Sequence, residues 1–303
     1  MNKILLAALA AVFALSSCDK VANPFPETIA TALDYTLYPG GDSIAYTATE
    51  WPSFSTNPNI SRNVLIEDFT GHLGNNCPDA ADTAENIHSD YPNSVFIATI
   101  HASPTGDLLG FQATNPEYPI NWTNESGVAI GEHLGSLPGT DFFGNPYGSI
   151  SRVDGDWNPN GWRALTQTVL AAPLEANVQA VLNYYPSTRG IFLHSEVEIV
   201  NPSLPDSLYT VVYLIEDSIV GKQKMPDNTS NSDYVHREVM RGTISSDWQG
   251  RKLTDAELDS GKYYFNYSYK LPAQYDASNT HLLIYVRNSS TEEIYQVIKK
   301  KIE

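Results

Sequence analysis

The residue with the clearest capacity for chemistry is Cys77, which follows an apolar segment and directly precedes Pro78. A redox dithiol needs two cysteines separated by two residues, and the first is an exposed nucleophile whose thiolate a helix N-terminus stabilises. Gly74 occupies the position of that first cysteine. Cys77 therefore matches the second, resolving thiol, which by itself cannot release a trapped substrate. We expect no dithiol catalysis at this site.

The segments around Cys77 alternate between strand and helix patterns from residue 63 to residue 175. An apolar strand at 64–69, a helix at 78–88 and a second apolar strand at 94–100 predict a right-handed parallel crossover. Four further elements complete a predicted α/β domain: a helix at 125–134, a strand at 149–153, a turn at Asp154-Gly155 and a helix at 162–170.

From about residue 178 the pattern changes to strands alone. About seven short strands with turn signals between them predict an immunoglobulin-like antiparallel β-sandwich over residues 176–303. Four aromatic residues alternate along one predicted strand and are expected to form core and half-buried sheet face rather than a binding platform. They are Tyr263, Phe265, Tyr267 and Tyr269. The predicted strands are 178–185, 191–200, 209–216, 234–241, 263–270, 282–287 and 294–299.

The N-terminus has the features of a lipoprotein signal peptide over residues 1–17. Lys3 precedes an apolar segment at 4–15 that is too short to span a bilayer. Leu15-Ser16-Ser17-Cys18 resembles a bacterial lipobox, which predicts lipidation of Cys18 and attachment to the membrane through the lipid anchor only. Residues 18–62 predict a tether, in which 35–38 and 43–47 could pair as a β-hairpin around Pro39-Gly40-Gly41.

Charge and cysteine content narrow the classes of partner. The chain has 18 basic and 35 acidic residues, and cleavage after residue 17 would remove one basic residue, Lys3. The mature chain would then have 17 basic and 35 acidic residues, which gives a net charge of about −18. Nucleic acids and anionic lipid surfaces need a basic protein surface, so neither is an expected partner. Cys77 is then the single thiol besides the lipidated Cys18, and no internal disulfide can form.

Several motifs occur along the chain in one order. These are the lipobox, the 64–69 strand with Thr70-Gly71-His72, Cys77-Pro78, Pro146-Tyr147-Gly148-Ser149-Ile150-Ser151-Arg152, and Tyr234-Val235-His236-Arg237-Glu238-Val239-Met240-Arg241. Together they resemble the outer membrane protein 28-related lipoproteins of the Gram-negative envelope. The resemblance implies a thioredoxin-like α/β domain followed by a β-sandwich, and outer-membrane localisation. The family usually shows Cys-x-x-Cys-Pro, from which this chain departs at Gly74.

The resemblance to thioredoxins also implies places for Asp68 and Pro146. Asp68 falls where thioredoxins keep a buried carboxylate that assists proton transfer, and Pro146 falls near their cis-proline. If the site were redox-active after all, Cys77, Asp68 and Pro146 would carry the chemistry. Without a dithiol, Asp68 is expected to be a capping or hydrogen-bonded structural acid.

Other residues suggest metal binding or modification. Asp154, Asp156 and Asn158 place oxygen ligands at alternate positions, as a calcium loop does, but a hairpin turn with a helix cap explains the same residues. Calcium is the one cofactor left open, since the spacing of His72, His101 and Cys77 matches no standard zinc pattern. Asp-Ser-apolar tripeptides at Ser43 and Ser207 resemble envelope O-glycosylation acceptors.

The sequence as a whole predicts a non-catalytic lipoprotein that serves binding, adhesion or assembly. A protein, peptide or glycan is the expected ligand, met by polar loops at 227–233 or 101–122, because exposed loops commonly carry recognition. The alternative is a monothiol oxidoreductase that uses Cys77 with an external thiol or partner protein. A third hypothesis, a purely structural surface-layer component, has the same sequence features as the first. The periplasmic or external face of the membrane stays undecided.

Overall fold

The computed structural model describes residues 33–105, 110–245 and 247–302. The predicted signal peptide, Cys18 and the tether as far as residue 32 lie outside the described residues. No helix within the described ranges has the length and apolarity needed to cross a membrane. The α-helices are α1 (Ser43–Thr49), α2 (Cys77–Asp90), α3 (Glu125–Gly135) and α4 (Trp162–Leu170).

The strands fall into two groups along the chain. The first group is β1 (Val64–Thr70), β2 (Val95–His101), β3 (Tyr147–Ile150) and β4 (Asp154–Asp156). The second group is β5 (Ala176–Tyr185), β6 (Gly190–Ile199), β7 (Leu208–Glu216), β8 (Ile219–Lys224), β9 (Ser230–His236), β10 (Val239–Thr243), β11 (Arg251–Lys252), β12 (Leu258–Asp259), β13 (Lys262–Lys270), β14 (Thr280–Asn288) and β15 (Ile294–Lys301).

The largest sheet is built from strands of both groups, in the order β15-β14-β7-β10-β2-β1-β3-β4, with β11 paired to β7. β1 and β2 are parallel, as the crossover pattern predicted, and β3 is antiparallel to β1. β10 joins β2 in parallel through Val239 opposite Thr99. One continuous sheet therefore connects the α/β segment to the strands that follow it, and the fold is mixed α/β with mostly β structure.

The second sheet, β12-β13-β6-β5, packs against β7, β14 and β15 of the first sheet. The apolar side chains between them form a sandwich core that includes Val212, Leu214 and Phe265. Tyr267 is buried in this core, and Tyr263 and Tyr269 pack against it half-buried. The tyrosine stripe is therefore part of the sandwich interior, as predicted.

β1 and β2 are buried along their whole length because helices cover both faces of the sheet. On one face, Val64 and Ile66 pack with Ile87 of α2 and Trp162 of α4. On the other face, Leu65 and Phe69 belong to the cluster that contains Ile130 and Leu134 of α3. This two-sided burial explains why both strands are mostly apolar in the sequence and lack an alternating polar face.

The predicted hairpin in the tether is wrong, since residues 35–37 form a 3-10 helix and 43–49 form α1. The Asp42 carboxylate caps α1 by accepting hydrogen bonds from the N–H groups of Ile44 and Ala45 at 2.9 and 3.1 Å. Tyr46 then projects from α1 into the protein, where its hydroxyl lies 2.7 Å from His194 Nε2. Residues 33–62 therefore include a segment that packs on the second sheet.

One predicted strand also needs correction. The predicted strand 234–241 is divided into β9 and β10, with a positive φ of 49° at Glu238 between them. β9 pairs with β8 in a two-stranded hairpin that is not part of the main sheet. The Gln223 amide donates to Gly74 O at 3.0 Å, and Lys224 N donates to His72 O at 2.9 Å. The hairpin thus lies against the loop that connects β1 to α2.

The turn predicted at Asp154-Gly155 lies instead at residues 151–153, and Asp154 begins β4. Ser151 and Arg152 adopt positive φ values of 47° and 52°. This backbone accompanies a buried ion pair, in which Arg152 Nε and Nη2 each lie 2.8 Å from Glu67 carboxylate oxygens. The turn therefore precedes the predicted position, and Arg152 within it reaches Glu67.

Candidate functional site

Cys77 begins α2, and its side chain is almost completely buried, with 2 % exposure. Two backbone hydrogen bonds close the turns that precede the helix. Gly74 N donates to Gly71 O at 2.9 Å, and Cys77 N donates to Gly74 O at 3.3 Å. Burial raises the pKa of the Cys77 thiol to about 12, and the nearby Asp68 carboxyl contributes in the same direction. The thiol is therefore protonated at neutral pH.

Gly74 lies directly beside this thiol. A Cβ atom placed on Gly74 would overlap Cys77 Sγ and would lie 3.2 Å from Gly71 O. Position 74, where a Cys-x-x-Cys pair would have its first cysteine, is thus adjacent in space to Cys77. Cys77 is the only cysteine among the described residues and it is a free thiol.

Asp68 lies in the middle of β1 and is fully buried. Neither carboxyl oxygen has a hydrogen-bond partner among the described residues. The expectation of a capping or hydrogen-bonded acid is therefore wrong. Burial raises the pKa of Asp68 to about 7, since desolvation penalises the carboxylate form.

Pro146 directly precedes β3 and follows a cis peptide bond from Asn145. It lines an open groove of about 640 Å³ together with Asn76, which precedes α2. Phe143 and Trp157, also in the lining, are 82 % and 65 % exposed. Cys77 does not line this groove. The other lining residues are Asp79, Thr83, Asp141, Gly144, Asn145, Asn158, Pro159 and Asn160.

Cys77 and Asp68 instead line a second cavity of about 340 Å³. This cavity lies between α2 and the β8–β9 hairpin, and Gln223 and His236 contribute to its buried surface. The structure therefore brings Cys77 and Asp68 together but assigns Pro146 to the neighbouring groove.

The residues of the calcium hypothesis act as acceptors within local turns. Asp154 Oδ1 accepts from Gly155 N at 2.8 Å, Asp156 Oδ1 from Asn158 N at 2.7 Å, and Asn158 Oδ1 from Asn160 N at 3.2 Å. Across residues 33–105, 110–245 and 247–302, no three His, Cys, Asp or Glu side chains are grouped to hold a metal ion. The turn-and-cap explanation accounts for these oxygen atoms.

The histidines near Cys77 make separate contacts. His72 Nε2 lies 2.9 Å from Ala113 O, and its ring stacks on Tyr118. His101 stacks on Trp122, with His236 5.5 Å away between ring centroids. Burial lowers the pKa of His101 well below its usual range and that of His236 to about 4. These imidazoles are therefore neutral at neutral pH.

The two glycosylation candidates differ in accessibility. Ser43 is exposed as the first residue of α1. Ser207 is half-buried, and its hydroxyl lies 2.9 Å from Asn288 Oδ1. Ser43 is thus the more accessible hydroxyl of the pair.

The sequence reasoning missed the aromatic residues of the groove and the ion pair at Arg152. Phe143 and Trp157 stand in polar loops, where isolated aromatic residues have no periodic pattern. Glu67 gave a usable signal, since an ionised carboxylate inside a buried strand needs a buried partner. Besides Glu67, Arg152 contacts Glu292 at 3.1 Å and Tyr213 Oη at 2.9 Å. This network joins the α/β segment to the sandwich.

The family model described as outer membrane protein Omp28 matches residues 170–303. HBP35 of Porphyromonas gingivalis is similar in structure, with a TM-score of 0.59 and 16 % identity, over 81 % of this chain and 77 % of that chain. A domain of the outer membrane lipoprotein Omp28 from the same organism is 24 % identical over 43 % of this chain and 88 % of that chain, with a TM-score of 0.30. No curated protein matches the sequence. The predicted family resemblance is confirmed over the matched residues, and the likeness to HBP35 shows a shared fold.

Proposed function

We propose that this chain, whose residues 170–303 match the family model of outer membrane protein Omp28, is a lipid-anchored outer-membrane protein that binds polypeptides without catalysing a reaction. The family match supports an outer-membrane protein. The lipobox supports anchoring through Cys18. The two proposed domains are a redox-silent thioredoxin-like domain at 63–175 and an immunoglobulin-like sandwich at 176–303.

The arrangement around Cys77 supports a thioredoxin-like domain. The parallel β1–α2–β2 unit is followed by β3, which is antiparallel to β1. Cys77 begins the helix of this unit, and the cis bond before Pro146 precedes β3. The order of these elements supports the proposed thioredoxin-like domain.

The burial of Cys77 is the observation that carries the non-catalytic proposal. A nucleophilic cysteine must be accessible and must form a thiolate at the working pH. Cys77 is 2 % exposed, and the pKa of its thiol is raised to about 12. The monothiol alternative required an exposed thiol with a lowered pKa, so both properties argue against it.

The groove beside Pro146 is the proposed polypeptide-binding site. Phe143 and Trp157 offer apolar surface, and exposed aromatic groups of this kind are common contacts for partner chains. Asn76, Asn158 and Asn160 place side-chain amides along the groove, where they can hydrogen-bond an extended backbone. Asp79 and Asp141 disfavour an acidic ligand. The proposed ligand is therefore an extended, apolar polypeptide segment without acidic residues.

Fluorescence anisotropy with short labelled peptides tests this site. The soluble protein starting after Cys18 is titrated into apolar, uncharged peptides and into versions with glutamate substitutions. We expect saturable binding that the glutamates weaken and that Phe143→Ala with Trp157→Ala weakens at least tenfold. Ile44→Ala is the matched control, because Ile44 is 80 % exposed on α1 and outside the groove. Equal affinity in all variants would contradict the proposed site.

A further inference from the structure

The cavity that contains Asp68 and Cys77 has a buried floor and an acidic rim. Asp68, Cys77, Gln223 and His236 are buried at its floor. Asp82 of α2 and Asp233 of β9 are exposed at its edge. Its volume of about 340 Å³ lies within the range of small-molecule sites.

The unpartnered carboxyl of Asp68 indicates that something else belongs in this cavity. A buried polar group without a hydrogen bond costs free energy, and native proteins satisfy nearly all such groups. Both oxygens of Asp68 are buried and lack a partner among the described residues. A ligand that satisfied both oxygens would have to supply at least two hydrogen-bond donors.

The charges around the cavity favour a cationic donor. Glu85 lines the wall, and the pKa of Tyr234 is raised by burial and by the neighbouring acids, Asp68 first among them. Arg237 is the one basic side chain in the described lining, and its guanidinium points toward Asp217 at 3.7 Å. The cavity therefore carries an excess of negative charge that no cation on its floor balances.

We propose that this cavity binds a primary alkylammonium group, presented either by a free diamine or by a lysine side chain, with the nitrogen on the Asp68 carboxylate. An ammonium carries three N–H donors on a compact head, which suits two unpaired oxygens on a narrow floor. Ala81, Ala84 and Ile97 line the same cavity and offer apolar surface for the methylene groups. This site is separate from the polypeptide groove and does not depend on it.

The proposal includes a pH dependence, because an ammonium favours the ionised form of Asp68. The pKa of Asp68 is raised to about 7, so affinity for the amine rises as pH increases through that value. The titratable or charged groups facing Asp68 are Cys77, Asp82 and Glu85 on α2, and Asp233, Tyr234, His236 and Arg237 on β9. Cys77 and Tyr234 have raised pKa values and His236 has a lowered one, so they keep their neutral forms near pH 7. Burial also raises the pKa of Glu85, so Glu85→Gln is a necessary control for the pH profile.

Isothermal titration calorimetry tests the site on the soluble protein starting after Cys18. The probes are 1,5-diaminopentane, N-acetyl-lysine methylamide, and the same lysine derivative with its side-chain amine acetylated. We expect the amines to bind more tightly at pH 8 than at pH 6, and the acetylated derivative not to bind. If both amines bind, the site accepts a lysine side chain as well as a free diamine. If only the diamine binds, the natural ligand is a free amine.

Asp68→Asn is expected to weaken amine binding at least tenfold, while Glu125→Gln leaves it unchanged. Glu125 is exposed in the first turn of α3 and lines neither cavity. The Phe143→Ala and Trp157→Ala pair is also expected to leave amine binding unchanged, so failure of the groove hypothesis is distinguishable from failure of this one.

A second measurement needs no variant, and it keeps the proposal testable if Asp68→Asn does not fold. The carboxyl carbon of Asp68, followed by NMR, is expected to titrate at lower pH when 1,5-diaminopentane is present. Unchanged titration of Asp68, equal affinity in Asp68→Asn, or absence of saturable amine binding at pH 8 would each overturn the proposal and leave a cavity filled by water.

Discussion

Gly74 lies against Cys77 so closely that a Cβ atom on Gly74 would overlap the Cys77 sulfur. Positions 74 and 77 are therefore close enough for side chains at the two positions to touch. The Cys77 thiol is buried at the start of α2 and lines the Asp68 cavity rather than the groove beside Pro146. The burial of this thiol and its closeness to Gly74 lead to two predictions.

Cys77 is expected to react slowly with iodoacetamide in the folded protein at pH 7. Burial excludes the reagent and raises the pKa of the thiol to about 12, so little thiolate is present. The measurement is the alkylation rate against pH by mass spectrometry, with the protein in denaturant as the control. Reaction in the folded state as fast as in denaturant would contradict both the burial and the non-catalytic proposal.

Gly74→Cys is expected to form a disulfide with Cys77 after a small rotation of the Cys77 side chain. The two positions are adjacent, and the overlap involves the movable end of a side chain. Gly144→Cys is the matched control, since a Cβ at Gly144 has no neighbour within 4 Å. Thiol titration of the oxidised proteins should find no free thiol in the first variant and two in the control. Two free thiols in Gly74→Cys would show that the loop geometry differs.

The buried pair of Glu67 and Arg152 is expected to be strongly coupled. Their side chains are 0 % and 1 % exposed, so Arg152→Met leaves an unpaired buried carboxylate and should lower the free energy of unfolding by about 3–5 kcal/mol. Glu67→Leu with Arg152→Met should recover most of this loss because both charges are removed.

Urea unfolding measures this coupling, and Arg163→Met provides the comparison. Arg163 pairs with Asp90 at the surface, where their side chains are 42 % and 57 % exposed. Loss of such a pair costs about 0–1 kcal/mol. A similar small loss in Arg152→Met would mean that the buried network does not hold the two parts of the sheet together.

His236 is expected to destabilise the protein in acid. Its pKa falls from 6.5 in the unfolded chain to about 4 in the folded protein, since burial disfavours the imidazolium. Stability is therefore lost as pH decreases from about 6.5 to 4, where the unfolded chain takes up a proton and the folded chain does not. This effect of His236 lowers the free energy of unfolding by about 3 kcal/mol at pH 4, since each pKa unit corresponds to roughly 1.4 kcal/mol.

His236→Gln should make the pH dependence of unfolding shallower over this interval. Free energies of unfolding at pH 7, 5.5 and 4 provide the measurement. Parallel profiles for the variant and the original protein would indicate that the imidazole is accessible to protons in the folded state.

Asp68 is expected to have the opposite pH dependence. Its pKa rises from 3.8 in the unfolded chain to about 7 in the folded protein. The contribution of Asp68 to the free energy of unfolding is fully present below about pH 3.8. It is lost as pH rises to about 7, because the carboxyl ionises at lower pH in the unfolded chain than in the folded protein. Asp68→Asn should therefore be more stable than the original protein at pH 8, by up to about 4 kcal/mol, and the gain should shrink toward pH 4. Thermal unfolding in the absence of amines measures this, and a gain independent of pH would exclude ionisation of Asp68 as its cause.

The sequence by itself determined the crossover unit β1–α2–β2 and the absence of a Cys-x-x-Cys pair. Mostly apolar segments predicted β1 and β2 as buried parallel strands, because strands covered on both faces have few polar positions. Gly74 and Cys77 together excluded a two-cysteine site, since residue identity alone settles which thiols exist. The strand-rich pattern after residue 178 likewise predicted the sandwich, whose aromatic residues at 263–269 face the core.

Only the tertiary structure decided what surrounds these elements. β10 lies beside β2 although about 140 residues separate them, so the continuous sheet depends on long-range pairing that has no local pattern. The helix at Ser43–Thr49 replaced a predicted hairpin because Tyr46 finds a buried partner in His194. The packing of α2 against the β8–β9 hairpin likewise decides the burial of Cys77 and the separation of the groove from the thiol. It also leaves Asp68 without a hydrogen-bond partner among the residues that the structure describes. Solvent access and hydrogen-bond partners are properties of the packed chain, and residue spacing does not encode them.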